Sequence, residues 1–407
     1  MATSRMRPFR NTISLDAARG ILDRTGTPMM RTESIPVDRA NHRVVAKDIV
    51  AAGDVPPFAR AAMDGYAVRA SDTRGASRAS ARLLHLVATL YTGQVSATPV
   101  REGECIEIAT GAPLPAGADA VVMVEETDAG PDGRVRIYAE VKPWQNVGKR
   151  GADIQAGHTV LTAGETINSS RIGALAAVGL STVDVYQQPR VAILSTGNEI
   201  IEPGRALGPG QIYDINRFTL SAVVADNGGV PVPMPPAPDT IDALSAMLDR
   251  CIENDVVVFS GGSSVGERDL MIDVLSAKGQ VLFHGISVKP GKPTGLAVVA
   301  GTPVFAMPGY PTSCLTNAHI LLVPLLRRMA RLGPKLTRTI TVPLAERVAS
   351  APNRHQFHTV RIVDGVAVPA FKASGDITSM SRADGYIEIP ADEEFVERGS
   401  MVDVMLF

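Results

Sequence analysis

Aromatic residues make up only 4% of this 407-residue chain, so its cores must be built from aliphatic and small side chains rather than from stacked rings. Cysteine is scarcer still. Cys105, Cys251 and Cys314 are widely separated and form no CxxC pair, which argues against a disulfide framework or a zinc ribbon. Each lies among apolar neighbours such as Ile106, Ile252 and Leu315, and three buried, reduced thiols are expected. Seven histidines offer one close pair, His355 and His358, with no cysteine or carboxylate placed to complete a zinc site. An excess of charge is missing as well: 40 basic against 42 acidic residues leave a net −2. Nothing draws this chain generally to nucleic acid or anionic lipid, and neither is expected as a partner. The longest apolar run, HILLVPLLRRM, is too short to span a bilayer, and the basic start MATSRMRPFR has no apolar segment behind it, so a cytoplasmic protein is expected.

What remains is a composition of ordinary globular type, 45% hydrophobic and 20% charged, in a chain too long for one core. Leu15, Ala18, Ile21 and Leu22 form a short helical pattern, and an extended stretch follows to KDIVAAGDVPP, where glycine and paired prolines set a boundary near Asp54. From there to about residue 146 the apolar segments are short and strand-like: GYAVRA, LLHLVATLY, ECIEIAT and AVVMVEE. SRIGALAAVGL then reads as a tightly packed helix before the strand TVDVYQQ, packing with residues 11–50. Between Pro189 and Gly333 strands alternate with amphipathic helices. The strands are VAILS, GVPVPM, DVVVFS, VLFHGISV, LAVVAG and PVFAM. The helices are RFTLSAVVADN, TIDALSAMLDRCIEN, RDLMIDVLSAK and a long one from Pro311 kinked at Pro324. This is the pattern of a doubly wound α/β domain. From about Pro334 short strands return and suggest a small β-barrel or sandwich.

In open α/β sheets ligands gather where strands end at their carboxyl edge. VVVFSGGSSVGERD places Ser260, Gly261, Gly262, Ser263 and Ser264 there, a loop able to cradle an anion or merely to turn, with Asp269 opening the next helix. Neither GxGxxG nor GxxxxGK[ST] occurs in it. Glu199 in STGNEI and Asp214 in IYDIN sit just beyond strands; with Asp269 they form a carboxylate set suited to Mg2+ shared with substrate phosphates. SVKPGKPTG holds Lys289 and Lys292 on a proline-framed loop, an expected anion site. PGYPTS adds Pro308, Gly309, Thr312 and Ser313 at a helix start. In PPFARAAMDGYAV, Asp64 and Gly65 read physically as a hairpin turn, and in IATGAPLPAGADAVVMVE Thr110 and Asp119 read as local hydrogen-bonding residues.

Taken in this order and at these separations, AAMDGYAV, IATGAPLPAGADAVVMVE, STGNEI, SGGSSVGERD and KPGKP resemble the molybdopterin molybdenumtransferase family, which includes the E domain of gephyrin-type proteins. The resemblance spans most of the chain. It implies a multidomain α/β plus β fold with four domains: an elongated one from 11–53 and 147–186, an inserted β-rich one over 54–146, an α/β molybdopterin-binding domain over 187–333, and a C-terminal β-barrel over 334–407. It further implies that adenylylated molybdopterin and molybdate react with Mg2+ to give AMP and molybdenum cofactor. Asp64, Thr110, Glu199, Asp214 and Asp269 would be catalytic, with Glu199, Asp214 and Asp269 holding metal. Ser260 to Ser264, Lys289, Lys292, Pro308, Gly309, Thr312, Ser313, Arg354 and Ser374 would bind substrate. Members are homodimers with an active site across the subunit interface, and the molybdopterin adenylyltransferase of the preceding step is a further expected contact. Tyr310 stands where Asn is common, Ser263 where Val is common and His284 where some members have Lys, which leaves molybdate or tungstate open as the oxyanion. Two rivals are an adenylyltransferase, releasing pyrophosphate, and a molybdopterin-binding scaffold without turnover.

Overall fold

The computed structural model describes residues 12–261 and 270–407. They fall into two compact units, one comprising the described part of Met1–Glu33 with His42–Val44 and Tyr186–Phe407, the other Ser34–Asn41 with Val45–Val185.

In the second unit the four expected strands and two further ones, Arg134–Ile137 and Thr127–Ala129, form a six-stranded sheet in the order Ala120–Met123, Gly65–Val68, Glu104–Ile108, Arg82–Leu90, Arg134–Ile137, Thr127–Ala129. Side chains alternate across it, as strand geometry requires: Val68, Cys105 and Val122 enter one core, Ala67, Ile106 and Val121 the other. Asp64–Gly65 is not the hairpin turn that the dipeptide suggested. Arg60–Ala61 pairs with Val147–Gly148, while Gly65–Val68 pairs with two other strands. Glycine is needed at 65 because a Cβ there would lie 1.9 Å from the Val122 carbonyl oxygen. The helix Ser169–Ala177, capped by Asn168 on the Arg171 N–H, buries Leu175 against Val37, Val45, Ile49 and Val183. The partners of that segment thus come from residues 34–50. Leu15–Leu22, although earlier in the same stretch, buries Leu15, Ala18 and Leu22 in the core of the other unit.

That other unit contains a three-layer α/β arrangement. Along each central strand successive residues face opposite cores: Val191 and Ile193 against Ala192 and Leu194, Val256 and Val258 against Val257 and Phe259, Phe305 and Met307 against Val304 and Ala306. The helix Asn216–Asp226 covers one face, and Ile241–Cys251 with Leu270–Lys278 the other. The strand order is Val230–Pro233, Arg190–Ser195, Val256–Ser260, Thr302–Met307, Gly295–Val299, Gln280–His284. Pro231 and Pro233 place the first of these at the edge, where missing N–H donors break no central ladder. The first four strands are parallel, while Gly295–Val299 runs antiparallel to both of its neighbours, so that Gln280–His284 again points with the first four. The sheet is therefore mixed. LAVVAG and PVFAM are joined by Ala300 and Gly301, both at positive φ, a two-residue hairpin too short for a parallel crossover.

VLFHGISV also departs from expectation. Gly285, at φ +100°, ends Gln280–His284, and Val288–Lys289 leaves the α/β sheet to pair in parallel with His355–Gln356. The long C-terminal helix contains a π turn, Ala318–Leu322, immediately before Pro324. Proline cannot donate to the preceding turn, and the wider turn absorbs the misfit. The final strands pair successively, and Leu344 bridges to Ala367, linking Thr339–Pro343 back to Val366–Pro369. No described helix is long and apolar enough to cross a membrane.

All three cysteines are free and buried. Burial pushes the thiols of Cys105 and Cys314 up to about 12 and that of Cys251 to about 11. Since the thiolate is the nucleophile, none should react with a disulfide reagent at pH 8 in the native protein, and three equivalents should react in denaturant. Fast native titration of any one would show an opening at that core.

Candidate functional site

Three parallel strands end in register at one sheet edge, Ser195 beside Ser260 and Ser260 beside Met307. Arg190–Ser195, the first of them in sequence, lies between the second and third strands of the domain. The chain passes from it to Val230–Pro233 on one side and returns across it to Val256–Ser260 on the other, the switch in strand order beside which ligands of open α/β sheets bind. Glycines let the backbone close in there. Gly261 has φ +106°, and a Cβ on it would stand 2.3 Å from the Thr196 carbonyl oxygen; one on Gly309 would stand 3.4 Å from the Gly261 Cα.

Polar groups converge on this edge. The short parallel pairing of Ile200–Ile201 with Ile212–Tyr213 delivers Asp214, which is 3% exposed. Its Oδ1 accepts from the Ser195 hydroxyl at 2.8 Å and the Arg217 N–H at 3.1 Å, and Arg217 Nε lies 3.4 Å from Oδ2. The other arm of Arg217 reaches Glu202 at 2.8 Å and holds that carboxyl below its usual range. Asn216 Nδ2 donates to the Ser260 hydroxyl at 2.6 Å and the Gly309 carbonyl at 2.8 Å, fixing helix start to strand end. Glu199 is exposed, with its carboxylate against Gly197, where a Cβ would meet it at 2.6 Å. Asp239 is half-buried, two residues beyond Ala237, which pairs with Thr196. Burial raises the Asp239 carboxyl above its usual range, and the charge of Glu199 adds to the rise.

Four buried atoms at this edge, Thr196 Oγ1, Asp214 Oδ2, Asn216 Oδ1 and Asp239 Oδ1, make no well-formed hydrogen bond among the described residues, although the Arg217 guanidinium stands beside Asp214 Oδ2 and the Thr196 side chain acts on Asp239. An unpaired buried polar group costs about 1–3 kcal/mol, so the polar atoms at this edge are a candidate for contact with a ligand. Three of the four atoms are pure acceptors, which suits a hard cation or a donor-rich ligand. Among the described residues no three His, Cys, Asp or Glu side chains gather as a metal-holding set. Asp269, the third expected carboxylate, lies outside the described residues, as do Gly262, Ser263 and Ser264.

The basic groups form the other end. Lys289 and Arg354, both half-buried, sit at the junction where Val288–Lys289 pairs with His355–Gln356. The loop that carries Lys289 is closed by Ile286 N–H to the Lys292 carbonyl at 3.0 Å, with Gly291 pressed against Asn317. Thr312 and Ser313 are buried, and the Thr312 hydroxyl is already spent on the Asp376 carbonyl at 2.9 Å. The Thr312 N–H donates to the Ser374 carbonyl at 3.1 Å, so segment 308–312 ties the strand edge to the Ser374 loop. Tyr310 stays 65% exposed.

Asp64 and Thr110 belong to the other unit, which brings them together. Backbone bonds between Ala61 and residues 111–112 align the two segments, and Asp64 Oδ1 accepts from Thr110 N at 2.7 Å and Oγ1 at 2.9 Å. Those two bonds hold the Asp64 carboxyl below its usual range. Sequence reasoning missed Asp239, hidden in the proline-rich PPAPDT; the signal available was its place just past a strand end.

Comparison with known proteins agrees along the chain. Residues 13–179 match the MoeA N-terminal region (domain I and II), 192–328 a "probable molybdopterin binding domain", and 341–407 the MoeA C-terminal region (domain IV). The chain is 33% identical to molybdopterin molybdenumtransferase 2 of Mycobacterium tuberculosis over 92% of its length and 95% of that protein. It is 30% identical to the molybdopterin molybdenumtransferase of Haemophilus influenzae over 97% and 98%. The crystal structure of a molybdopterin biosynthesis MoeA protein from Pyrococcus horikoshii, 40% identical, superposes with a TM-score of 0.84 over 97% of this chain and 99% of that one. The chain belongs to the molybdopterin molybdenumtransferase family and, as a member, is a transferase.

Proposed function

We propose that this enzyme inserts molybdate into adenylylated molybdopterin in a Mg2+-dependent reaction that releases AMP and the molybdenum cofactor. The observation that carries the reading is the carboxyl edge of the parallel strands, where Glu199, Asp214 and Asp239 stand on the segments that leave it, with buried acceptor atoms among them. Glu199, Asp214 and Asp269, with Asp239 added, would hold Mg2+ through carboxylate oxygens, the donor type that this ion takes. When bound, that ion supplies neutralisation of the charge that develops as the phosphoanhydride breaks. Ser195 and the Arg217 N–H fix Asp214 through Oδ1, and the Arg217 guanidinium stands beside Oδ2. Ser260 to Ser264 cradle the substrate's phosphates, with Pro308, Gly309, Thr312 and Ser313 shaping the wall. Lys289, Lys292, Arg354 and Ser374 receive the oxyanion.

In this reading the protein is a homodimer, and Asp64 and Thr110 act on the substrate bound in the partner's crevice; Thr110 keeps Asp64 ionised for that role. The four-domain division 11–53 with 147–186, 54–146, 187–333 and 334–407 follows the same reading, as does a transient contact with molybdopterin adenylyltransferase. The deciding measurement is AMP release from adenylylated molybdopterin with Mg2+ and either molybdate or tungstate, metal incorporation being followed in parallel. Stoichiometric AMP with molybdenum incorporation is expected. Faster reaction with tungstate assigns the Tyr310 variant to that oxyanion, pyrophosphate in place of AMP assigns the adenylyltransferase, and tight binding without release assigns a scaffold.

A further inference from the structure

The strand His355–Val363 places Gln356 and His358 on one face and His355 and Phe357 on the other. Lys289 is the register partner of Gln356, and paired residues in neighbouring strands share a face, so Lys289, Gln356 and His358 point to the same side. Phe357 and Val288 enter the α/β core on the opposite side, which confirms the alternation. His355 is spent on Glu388 at 3.0 Å. His358 is different: it is 9% exposed, and its Nε2 has no hydrogen-bond partner among the described residues.

The tautomer of His358 follows from its neighbours. The Ala351 N–H donates to Gln356 Oε1 at 3.1 Å, which fixes the amide so that its nitrogen faces His358 Nδ1 at 3.3 Å. Gln356 therefore donates, Nδ1 accepts, and the ring proton sits on Nε2. Burial, with the charge of Lys289 adding to it, holds the ring neutral, its pKa down at about 4. One sheet face thus carries a lysine ammonium with no acceptor among the described residues and a buried Nε2–H donor in need of one, the two kinds of donor that a tetrahedral oxyanion takes.

We propose that His358 is a further binding residue of the anion end, donating its Nε2 proton to an oxygen of the oxyanion held by Lys289. The inference rests on the reading of that end as an anion site; the oxyanion is either molybdate or a substrate phosphate.

The test is calorimetric titration of the full-length protein with sodium molybdate and, separately, with AMP. His358→Ala should weaken one of the two about 10-fold, as expected for a hydrogen bond to a charged group. His358→Gln keeps an N–H near the Nε2 position and should stay within about 3-fold of wild type. Weakening confined to molybdate or to AMP tells which oxyanion is held. His358→Ala binding both as wild type does, while Lys289→Ala is weakened, overturns the role of His358 and leaves the anion site standing. Equal weakness of the Ala and Gln variants also overturns the donor role. No binding of either ligand by wild type overturns the anion site itself, and this inference with it.

Discussion

Mixing Asp64→Ala protein with Glu199→Ala protein, each inactive alone, should restore up to about a quarter of wild-type turnover once subunits exchange. Each variant alone should lose about 100- to 1,000-fold in AMP release, the usual consequence of removing a group aimed at developing charge. Asp64 and Glu199 are both exposed, so neither is buried in the core of its own unit. If the site combines Asp64 from one subunit with Glu199 from its partner, half of the dimers in an equal mixture are mixed. Each mixed dimer carries one site with both residues intact and one with neither. Verified exchange without recovery would show that both residues serve the same subunit's site, and the dimeric reading would fall.

Gly65→Ala should be the most destabilising small substitution in the second unit, by about 3 kcal/mol or more. The added methyl would stand 1.9 Å from the Val122 oxygen and 3.0 Å from the Met123 Cα. Backbone on that side is fixed by ladder bonds, because Gly65–Val68 pairs with strands on both of its edges. Nothing there can yield as a side-chain tip would. Gly53→Ala is the control: no atom lies within 4 Å of its ideal Cβ, and the change should stay within about 0.5 kcal/mol. Urea unfolding of both proteins decides the matter, and similar midpoints would mean that the sheet opens more easily than its register implies.

The sequence revealed the architecture where patterning was doing the specifying. Runs such as VVVF, apolar on both faces, can only be central strands with helices on either side, and Leu244, Leu248 and Cys251 show the stripe that covers one of those faces. It was less informative where one residue redirects the chain. Gly285 splits VLFHGISV between two sheets, which no periodicity shows, and Ala300–Gly301 was a hairpin signal overlooked beside two strong strand runs. Asp64 and Thr110 were recognisable only through resemblance, because their hydrogen bonds depend on backbone pairing between segments about fifty residues apart. Asp239 was missed for a related reason: prolines blurred the end of its strand, while its altered acidity depends first on burial and then on Glu199, forty residues earlier.

The lysine loop is rooted at both ends in the α/β sheet, through Gln280–His284 and Gly295–Val299, while its middle is stitched to the first residues of the strand His355–Val363. It is therefore a shared spoke rather than an appendage. Lys289 cannot follow one sheet without pulling on the other, so its position registers the relative setting of both, and a change of even one residue in the length of this loop would have to be matched in two places at once.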